Sequence, residues 1–114
     1  MHELSVCQGM LRQVLDVLRQ EQARAVTRIL VRIGPLSGVE PQLLAQAFPI
    51  ASAGTPAADA VLELECQPVR VRCEQCGAES DATPNRLLCG ACGDYHTRLL
   101  SGDELLLVRV ELER

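Results

Sequence analysis

Aromatic side chains are nearly absent from this chain of 114 residues: Phe48 and Tyr95 are the only two, and tryptophan does not occur. The core must therefore consist of Leu, Val, Ile and Ala, and 47% hydrophobic residues suffice for one small domain of that kind. Proteins that bind single-stranded nucleic acid stack bases on aromatic rings. The lack of such rings argues against that function.

Lysine is also missing, and all 11 basic residues are arginine. The formal net charge is −4 with the cysteines counted as neutral. A zinc ion held by four thiolates would add about two further negative charges, for a total of about −6. A chain of this charge is not expected to bind nucleic acid or another polyanion.

Long hydrophobic runs are absent as well, and none approaches the ~20 residues that cross a bilayer. The chain begins with Met1, His2 and Glu3, where a secretory signal would have a basic segment. The sequence therefore predicts a cytoplasmic protein without a membrane span. In that reducing compartment, paired cysteines favour a metal site over disulfides.

Two CxxC pairs contain four of the 6 cysteines and predict a metal site. Their spacing can bring four sulfurs to one tetrahedral centre, and a glycine after each pair lets the backbone curl around the ion. Two disulfides, a rubredoxin-like iron site and an iron–sulfur site are alternatives, but the short symmetrical spacing favours structural zinc. The residues are Cys73, Cys76, Gly77, Cys89, Cys92 and Gly93.

The remaining cysteines and the second histidine receive no functional role. Cys7 and Cys66 lie at apolar positions of a predicted helix and a predicted strand, so both are expected to be buried as small hydrophobic residues. His96, which follows the last CxxC pair, is expected at the surface.

Apolar residues at steps of three and four predict a first helix that starts near Leu4 and ends near Gln22. Pro41 is well placed as the first residue of a second helix. Pro49 is expected to kink or end that helix, because it lacks an N–H and clashes with the preceding turn.

Alternating apolar and charged residues predict strands over residues 27–33, 62–71 and 106–112. The second strand is expected to bulge at Pro68. The expected fold class is α+β: a small three-stranded mixed sheet packed with two helices, with a zinc-binding module inserted between the second and third strands.

The amino terminus offers a second set of metal donors. The amine of Met1, the amide nitrogen of His2 and a ring nitrogen of His2 can close adjacent chelate rings, and Glu3 can add its amide or its carboxylate. Nitrogen-rich square-planar sites select Ni(II) or Cu(II) over zinc. A histidine at position two is commonly only a solvated terminal residue, so these three residues alone leave nickel as one hypothesis.

Several motifs follow one another along almost the whole chain. They are Met1-His2-Glu3-Leu4-Ser5, Gly34-Pro35-Leu36-Ser37-Gly38-Val39-Glu40-Pro41, Ala47-Phe48, Gly54-Thr55-Pro56, the two CxxCG segments and Gly102-Asp103-Glu104-Leu105. In order and spacing they resemble the HypA/HybF family of hydrogenase nickel-incorporation proteins.

The resemblance implies a nickel metallochaperone that is not an enzyme. It implies Met1, His2 and Glu3 as nickel ligands and the four CxxC cysteines as zinc ligands. Residues 1–70 and 102–114 would form a nickel-binding α/β domain, and residues 71–101 a zinc-binding domain. The implied partners are the GTPase HypB and the large subunit of [NiFe]-hydrogenase, and the chain itself is expected to be a monomer or a weak homodimer.

Two other classes of protein compete with this interpretation. A zinc ribbon that binds nucleic acid is opposed by Glu74, Glu79 and Asp81 in the metal loop, where Arg86 is the one basic residue. A thiol or iron redox protein would differ in colour, because iron–thiolate sites absorb visible light and zinc does not. No phosphate-binding glycine-rich loop is present, so GTP hydrolysis would have to come from a partner.

Overall fold

Two helices and six strands make up the part of the chain that the computed structural model describes, residues 2–114. The strands form two three-stranded sheets, of orders β2-β1-β6 and β4-β3-β5. Met1, a predicted nickel ligand, lies outside the described residues. In chain order the elements are α1 (His2–Gln20), β1 (Ala25–Ile33), α2 (Pro41–Ser52), β2 (Val61–Cys66), β3 (Val69–Cys73), β4 (Glu79–Ala82), β5 (Thr97–Ser101) and β6 (Leu105–Glu113).

Helix α1 has the apolar stripe that the sequence predicts. Cys7, Leu11, Val14 and Leu18 are buried, at steps of four, three and four residues. The helix ends at Gln20, two residues before the expected end. It cannot continue through Gln22, because this residue has a φ of 52°, which is incompatible with a right-handed helix.

Helix α2 begins at Pro41, as expected. Of the two effects expected of Pro49, a kink or an end of the helix, the end does not occur there. The helix continues through Pro49 to Ser52. Pro49 removes only one N–H close to the end of the helix. Phe48 and Ser52 are 6% and 1% exposed, so packing of the last turn keeps it helical.

Strands β1 and β2 run parallel. Arg28 forms an ion pair with Glu63, and further along both strands Arg32 Nε lies 2.8 Å from Glu65 Oε1. The residue numbers of the paired side chains increase in the same direction along both strands, as they do in a parallel pair. These four side chains form the charged sheet face that the alternating pattern predicts.

Strands β1 and β6 run antiparallel. The Arg24 N–H donates to the Glu113 carbonyl at 2.8 Å, and the Thr27 hydroxyl donates to the Glu111 carbonyl at 3.1 Å. The residue number in β1 increases while that of its partner in β6 decreases, as it does in an antiparallel pair. The first sheet is therefore mixed, and the expected α+β fold of two helices with a small mixed sheet is confirmed.

The expected second strand, residues 62–71, is in fact two strands in different sheets. β2 ends at Cys66 and β3 begins at Val69. Between them, Pro68 has no N–H to donate to a ladder, and the Gln67 N–H donates to the Ile33 carbonyl at 2.9 Å. The expected bulge at Pro68 is therefore a complete change of sheet.

In the second sheet, β3 lies between β4 and β5 and is antiparallel to both. Neither β4 nor β5 was predicted from the sequence. The loop after β1 packs against the turn after β5: the Leu36 N–H donates to the Gly102 carbonyl at 2.7 Å, and a Cβ on Gly34 would lie 2.1 Å from that oxygen. Glycine at position 34 allows this backbone contact.

The chain divides into two compact units. The first consists of the residues up to Arg32, Val39–Glu65 and Leu106–Arg114, and the second of Ile33–Gly38 and Cys66–Leu105. Helices α1 and α2 contact each other in the first unit. No helix in residues 2–114 is both long and apolar enough to cross a membrane.

Candidate metal centre

The four cysteines of the CxxC pairs converge on one point in the second unit. Their Sγ atoms all lie within 4.8 Å of one another. Cys73 Sγ is 3.6 Å from Cys92 Sγ, and Cys76 Sγ is 3.6 Å from Cys89 Sγ. Four sulfurs at about 2.3 Å from a tetrahedral ion are about 3.8 Å apart, so the cluster fits a single metal ion. A disulfide would need about 2.05 Å.

The two CxxC segments hold their first cysteines in the same way. Cys73 Sγ accepts the N–H groups of Gln75 and Cys76 at 3.3 and 3.4 Å, and the Gly77 N–H donates to the Cys73 carbonyl at 3.0 Å. Gly77 has a φ of 78°, which a residue with a Cβ rarely adopts. The first glycine is therefore part of the loop that presents the sulfur.

The second segment repeats this geometry. Cys89 Sγ accepts the N–H groups of Ala91 and Cys92 at 3.3 and 3.4 Å, and Gly93 has a φ of 77°. The N–H groups of Cys92 and Ala91 lower the pKa of the Cys89 thiol to about 6, although burial opposes the shift. At Cys89 the backbone thus favours the thiolate, which is the form that binds a metal. At Cys92 the Asp94 N–H also lowers the pKa, but contacts with the neighbouring sulfurs raise the pKa of this thiol to about 12.

Backbone hydrogen bonds support both segments. Cys73 is the last residue of β3, and its N–H donates to the Ala78 carbonyl at 2.9 Å. The Cys89 N–H donates to the Asp94 carbonyl at 2.9 Å, and both cysteines are buried. Four sulfurs complete a tetrahedral coordination shell, so this arrangement suits a structural ion and offers no position for a reactive water.

His96 is exposed, as expected, and its Nδ1 lies 2.7 Å from Asp94 Oδ1. The backbone N–H of His96 donates to the same carboxylate oxygen at 2.7 Å. The His96 ring also contacts the Tyr95 ring, with a centroid distance of 4.1 Å and an angle of 32° between the ring planes. His96 is not part of the cysteine cluster.

Of the two remaining cysteines, only Cys7 is buried as expected, and burial raises the pKa of its thiol. The prediction for Cys66 was wrong, because this side chain is exposed. Cys66 is the last residue of β2, an edge strand without a fully buried residue. The alternation of apolar and charged residues along this strand therefore does not predict which side chains are buried.

At the amino terminus, His2 and Glu3 begin helix α1. The His2 side chain is 59% exposed, whereas that of Glu3 is 8% exposed. Glu3 Oε2 lies 3.2 Å from His2 Nε2 and accepts the Glu40 N–H at 3.4 Å. Sequence reasoning did not predict the contact with Glu40, because nothing in a pattern of local spacing connects residues so far apart in the chain.

The structure thus defines a small α+β protein with a cysteine cluster that could hold a metal ion. The chain belongs to the HypA family, since the family model described as "Hydrogenase/urease nickel incorporation, metallochaperone, hypA" matches residues 1–112. Members of this family are nickel metallochaperones for hydrogenase maturation.

Similar curated proteins have the same description. The "Hydrogenase maturation factor HypA" of Nitrosospira multiformis is 46% identical over 112 residues, 98% of this chain and 97% of that protein. The protein of the same name from Aquifex aeolicus is 41% identical over 113 residues, 99% of this chain and 98% of its own length. The resemblance in the sequence motifs is therefore confirmed.

Solved structures support the fold. The solution structure of "the Ni metallochaperone HypA from Helicobacter pylori" superimposes with a TM-score of 0.68 and covers 99% of this chain and 98% of that chain. Its sequence identity is 23%, so this likeness concerns the fold alone.

Proposed function

We propose that this chain binds Ni(II) through Met1, His2 and Glu3 and delivers it to the large subunit of a [NiFe]-hydrogenase. The observation that carries the proposal is the exposed His2 imidazole at the first turn of α1, in a chain of a nickel metallochaperone family. An amine, an amide nitrogen and an imidazole in adjacent chelate rings suit Ni(II). Nickel is here the cargo, so the site must also release it.

The cysteine cluster has a different role in this proposal. Cys73, Cys76, Cys89 and Cys92 hold a structural Zn(II), for which four-thiolate tetrahedral sites are typical. The zinc-binding domain comprises residues 71–101, and the nickel-binding domain residues 1–70 and 102–114. Binding of zinc and folding of the segment between Cys73 and Cys92 are expected to be one event.

The proposed partner is the GTPase HypB, and we propose that it binds at a groove in the first unit. Leu4, Leu43, Ala47 and Ile50 line this groove beside Glu3. Leu43 is 46% exposed and Ile50 is 69% exposed. Exposed apolar side chains grouped beside candidate ligands suit a protein partner that meets the chain during metal transfer. We call this surface the α1–α2 groove.

We further propose that the protein works in the cytoplasm and is not itself an enzyme. GTP hydrolysis would be supplied by HypB, since the sequence has no phosphate-binding glycine-rich loop. The chain then contributes metal ligands and a docking surface, as expected of a metallochaperone.

Calorimetric nickel titration of the zinc-loaded protein tests the nickel site. Protein that starts at Met1 with a free amine should bind Ni(II), whereas an amino-terminal tag or His2→Ala should abolish binding. A carboxyl-terminal tag is the matched control and should leave binding unchanged. Wild-type affinity in the amino-terminally tagged protein or in His2→Ala would refute the terminal site.

A further inference from the structure

Strand β6 forms one edge of the first sheet. The strand order β2-β1-β6 gives it a neighbouring strand on one side only, within the part of the chain that the structure describes. The strand has 9 residues and begins with a run of apolar residues, Leu105–Val108. Leu106 is 49% exposed and Val108 is 42% exposed. A long apolar edge of this kind pairs readily with another strand, because its outer N–H and C=O groups have no partner strand.

The charges of β6 select one way for two copies of this strand to pair. In an antiparallel pair that continues the sheet, opposite side chains lie on the same face, so the two-fold axis passes through a residue. An axis at Val110 places Arg109 of each copy opposite Glu111 of the other. An axis at Arg109 or at Glu111 instead places two like charges directly opposite each other, which is destabilising.

The same register also pairs apolar side chains. Val108 of each copy lies opposite Leu112 of the other, and the two copies of Val110 face each other at the axis. Opposite Cβ atoms in an antiparallel pair are about 4.5–5.5 Å apart, so these side chains shield one another from water. In the single chain, Arg109 Nε lies 3.6 Å from Glu111 Oε2, and the two side chains are 61% and 46% exposed. Both charged groups can therefore reach across to a second copy.

The opposite edge of this sheet, β2, does not have the same property. It carries Glu63 and Glu65 and no basic residue. No register of two β2 strands can therefore bring opposite charges together. Both glutamates already form ion pairs with arginines of β1. Of the two edges, β6 alone has a charge pattern that is complementary to itself.

We propose that two copies of this chain associate through β6, antiparallel about a two-fold axis at Val110. Since each copy contributes three strands, the product is one continuous sheet of order β2-β1-β6-β6-β1-β2. The contact is a single strand wide, which is smaller than the interface of an obligate dimer, so the association should be weak and should depend on concentration. It uses no nickel ligand and does not depend on the proposed nickel site.

Sedimentation equilibrium of the full-length, untagged, zinc-loaded protein tests the association. The apparent mass should rise from that of one chain, 12.4 kDa, toward twice that value as the concentration is raised from roughly 10 µM to 1 mM. The mass of a single chain over this whole range would overturn the proposal. It would favour an extended segment of a different protein as the occupant of the edge.

Charge reversal at the paired positions tests the register. Arg109→Glu and Glu111→Arg each place like charges opposite each other twice, so each variant should associate roughly tenfold more weakly than wild type. An equimolar mixture of the two variants should associate again, because every pair across the axis is then opposite in charge. The double variant Arg109→Glu/Glu111→Arg exchanges the two charges and should also recover wild-type association.

Arg12→Glu is the matched control. It makes the same change of charge at an exposed position of α1 and should associate as wild type does. Zinc content and circular dichroism identify any variant that misfolds. Wild-type association of either single variant at β6 would overturn the proposal, as would a mixture that associates no better than its components.

Isotope-filtered NMR of mixed labelled and unlabelled protein examines the contact directly. At roughly 1 mM, cross-peaks between chains should join the methyl groups of Val108 to those of Leu112. Within one strand these two residues are about 13 Å apart, too far for an internal cross-peak. Cross-peaks that instead join residues of α2, or residues of the segment between Cys73 and Cys92, would place the contact elsewhere and overturn the proposal.

Discussion

The backbone N–H of Glu40 donates to the carboxylate of Glu3 at 3.4 Å. Glu40 precedes helix α2 in an extended conformation and makes no capping hydrogen bond with its own side chain. Glu3 therefore supplies an acceptor to the start of α2 from the first turn of α1. Two of the sequence motifs, the amino terminus and the loop that begins at Gly34, meet at one carboxylate.

This contact predicts how Glu3 titrates. The pKa of its carboxyl should lie below the ordinary value of 4.5, because N–H groups of Glu3 and Glu40 and the charge of His2 outweigh the effect of burial. A lowered pKa in the folded state means that ionised Glu3 stabilises the fold above the unfolded pKa. That contribution is lost as the pH falls through the lower, folded pKa.

Carbon-13 NMR of the side-chain carboxyl groups measures this titration directly. Glu3→Gln identifies the Glu3 signal by its disappearance and should remove this part of the pH dependence of unfolding. A Glu3 midpoint at or above 4.5 would contradict the prediction.

Loss of one cysteine of the cluster should remove zinc. Cys76→Ser replaces one of four sulfur ligands, and the segment between Cys73 and Cys92 should lose its order because metal binding folds it. Zinc content measured by atomic emission should fall from about one ion per chain to near zero. Cys66→Ser, at an exposed cysteine outside the cluster, should keep its zinc. Full zinc content in Cys76→Ser would refute the four-cysteine site.

The positive φ of Gly93 predicts that a residue with a Cβ at this position weakens zinc binding. Gly93→Ala meets no atom within 4 Å of its new Cβ, so its effect should come from the backbone conformation alone. A strain of ~1–2 kcal/mol corresponds to a loss in zinc affinity of roughly tenfold, measurable by competition with a chelator.

Gly9→Ala is the control for this substitution. Gly9 lies inside α1, where a Cβ would make an ordinary contact of 3.6 Å with Arg12. Alanine should stabilise the helix by ~0.5–1 kcal/mol and raise the thermal unfolding midpoint without changing zinc affinity. Equal zinc affinities of Gly93→Ala and wild type would show that position 93 does not need glycine.

The α1–α2 groove predicts where HypB binds. Ile50→Glu places a charge on an apolar side chain that is 69% exposed, so the protein should fold while its affinity for HypB falls at least tenfold. Val61→Glu makes the same change at a residue that is 51% exposed outside the groove, and it should bind as wild type does. Calorimetry with purified HypB gives both affinities.

Hydrogen exchange provides an independent measurement of this interface. Binding of HypB should protect amides of α1 and α2. Protection confined to residues 73–92 would contradict the assignment of the partner to the groove, as would unchanged affinity in Ile50→Glu.

Local patterns predicted the parts of this fold whose determinants are close in sequence. The stripe from Cys7 to Leu18 in α1 follows from the helical repeat, and the CxxC spacing is enough to bring four sulfurs together. The charged face of β1 likewise follows from alternation along a single strand. In the helix and the strand, neighbouring residues share one regular backbone conformation, and within each CxxC pair the two sulfurs belong to one short loop. Their relative positions can therefore be derived without knowledge of the rest of the chain.

Tertiary structure alone decided which strands share a sheet and which long-range contacts form. The alternating pattern continues from β2 into β3, but Pro68 and the hydrogen bond from Gln67 to Ile33 separate these strands into two sheets. The exposure of Cys66 follows from the same separation, since a side chain at the end of an edge strand is buried only if another element covers it. The approach of Glu40 to Glu3 depends on how α1 packs against α2, and such packing is set by the combined burial of many side chains and not by the spacing of a few.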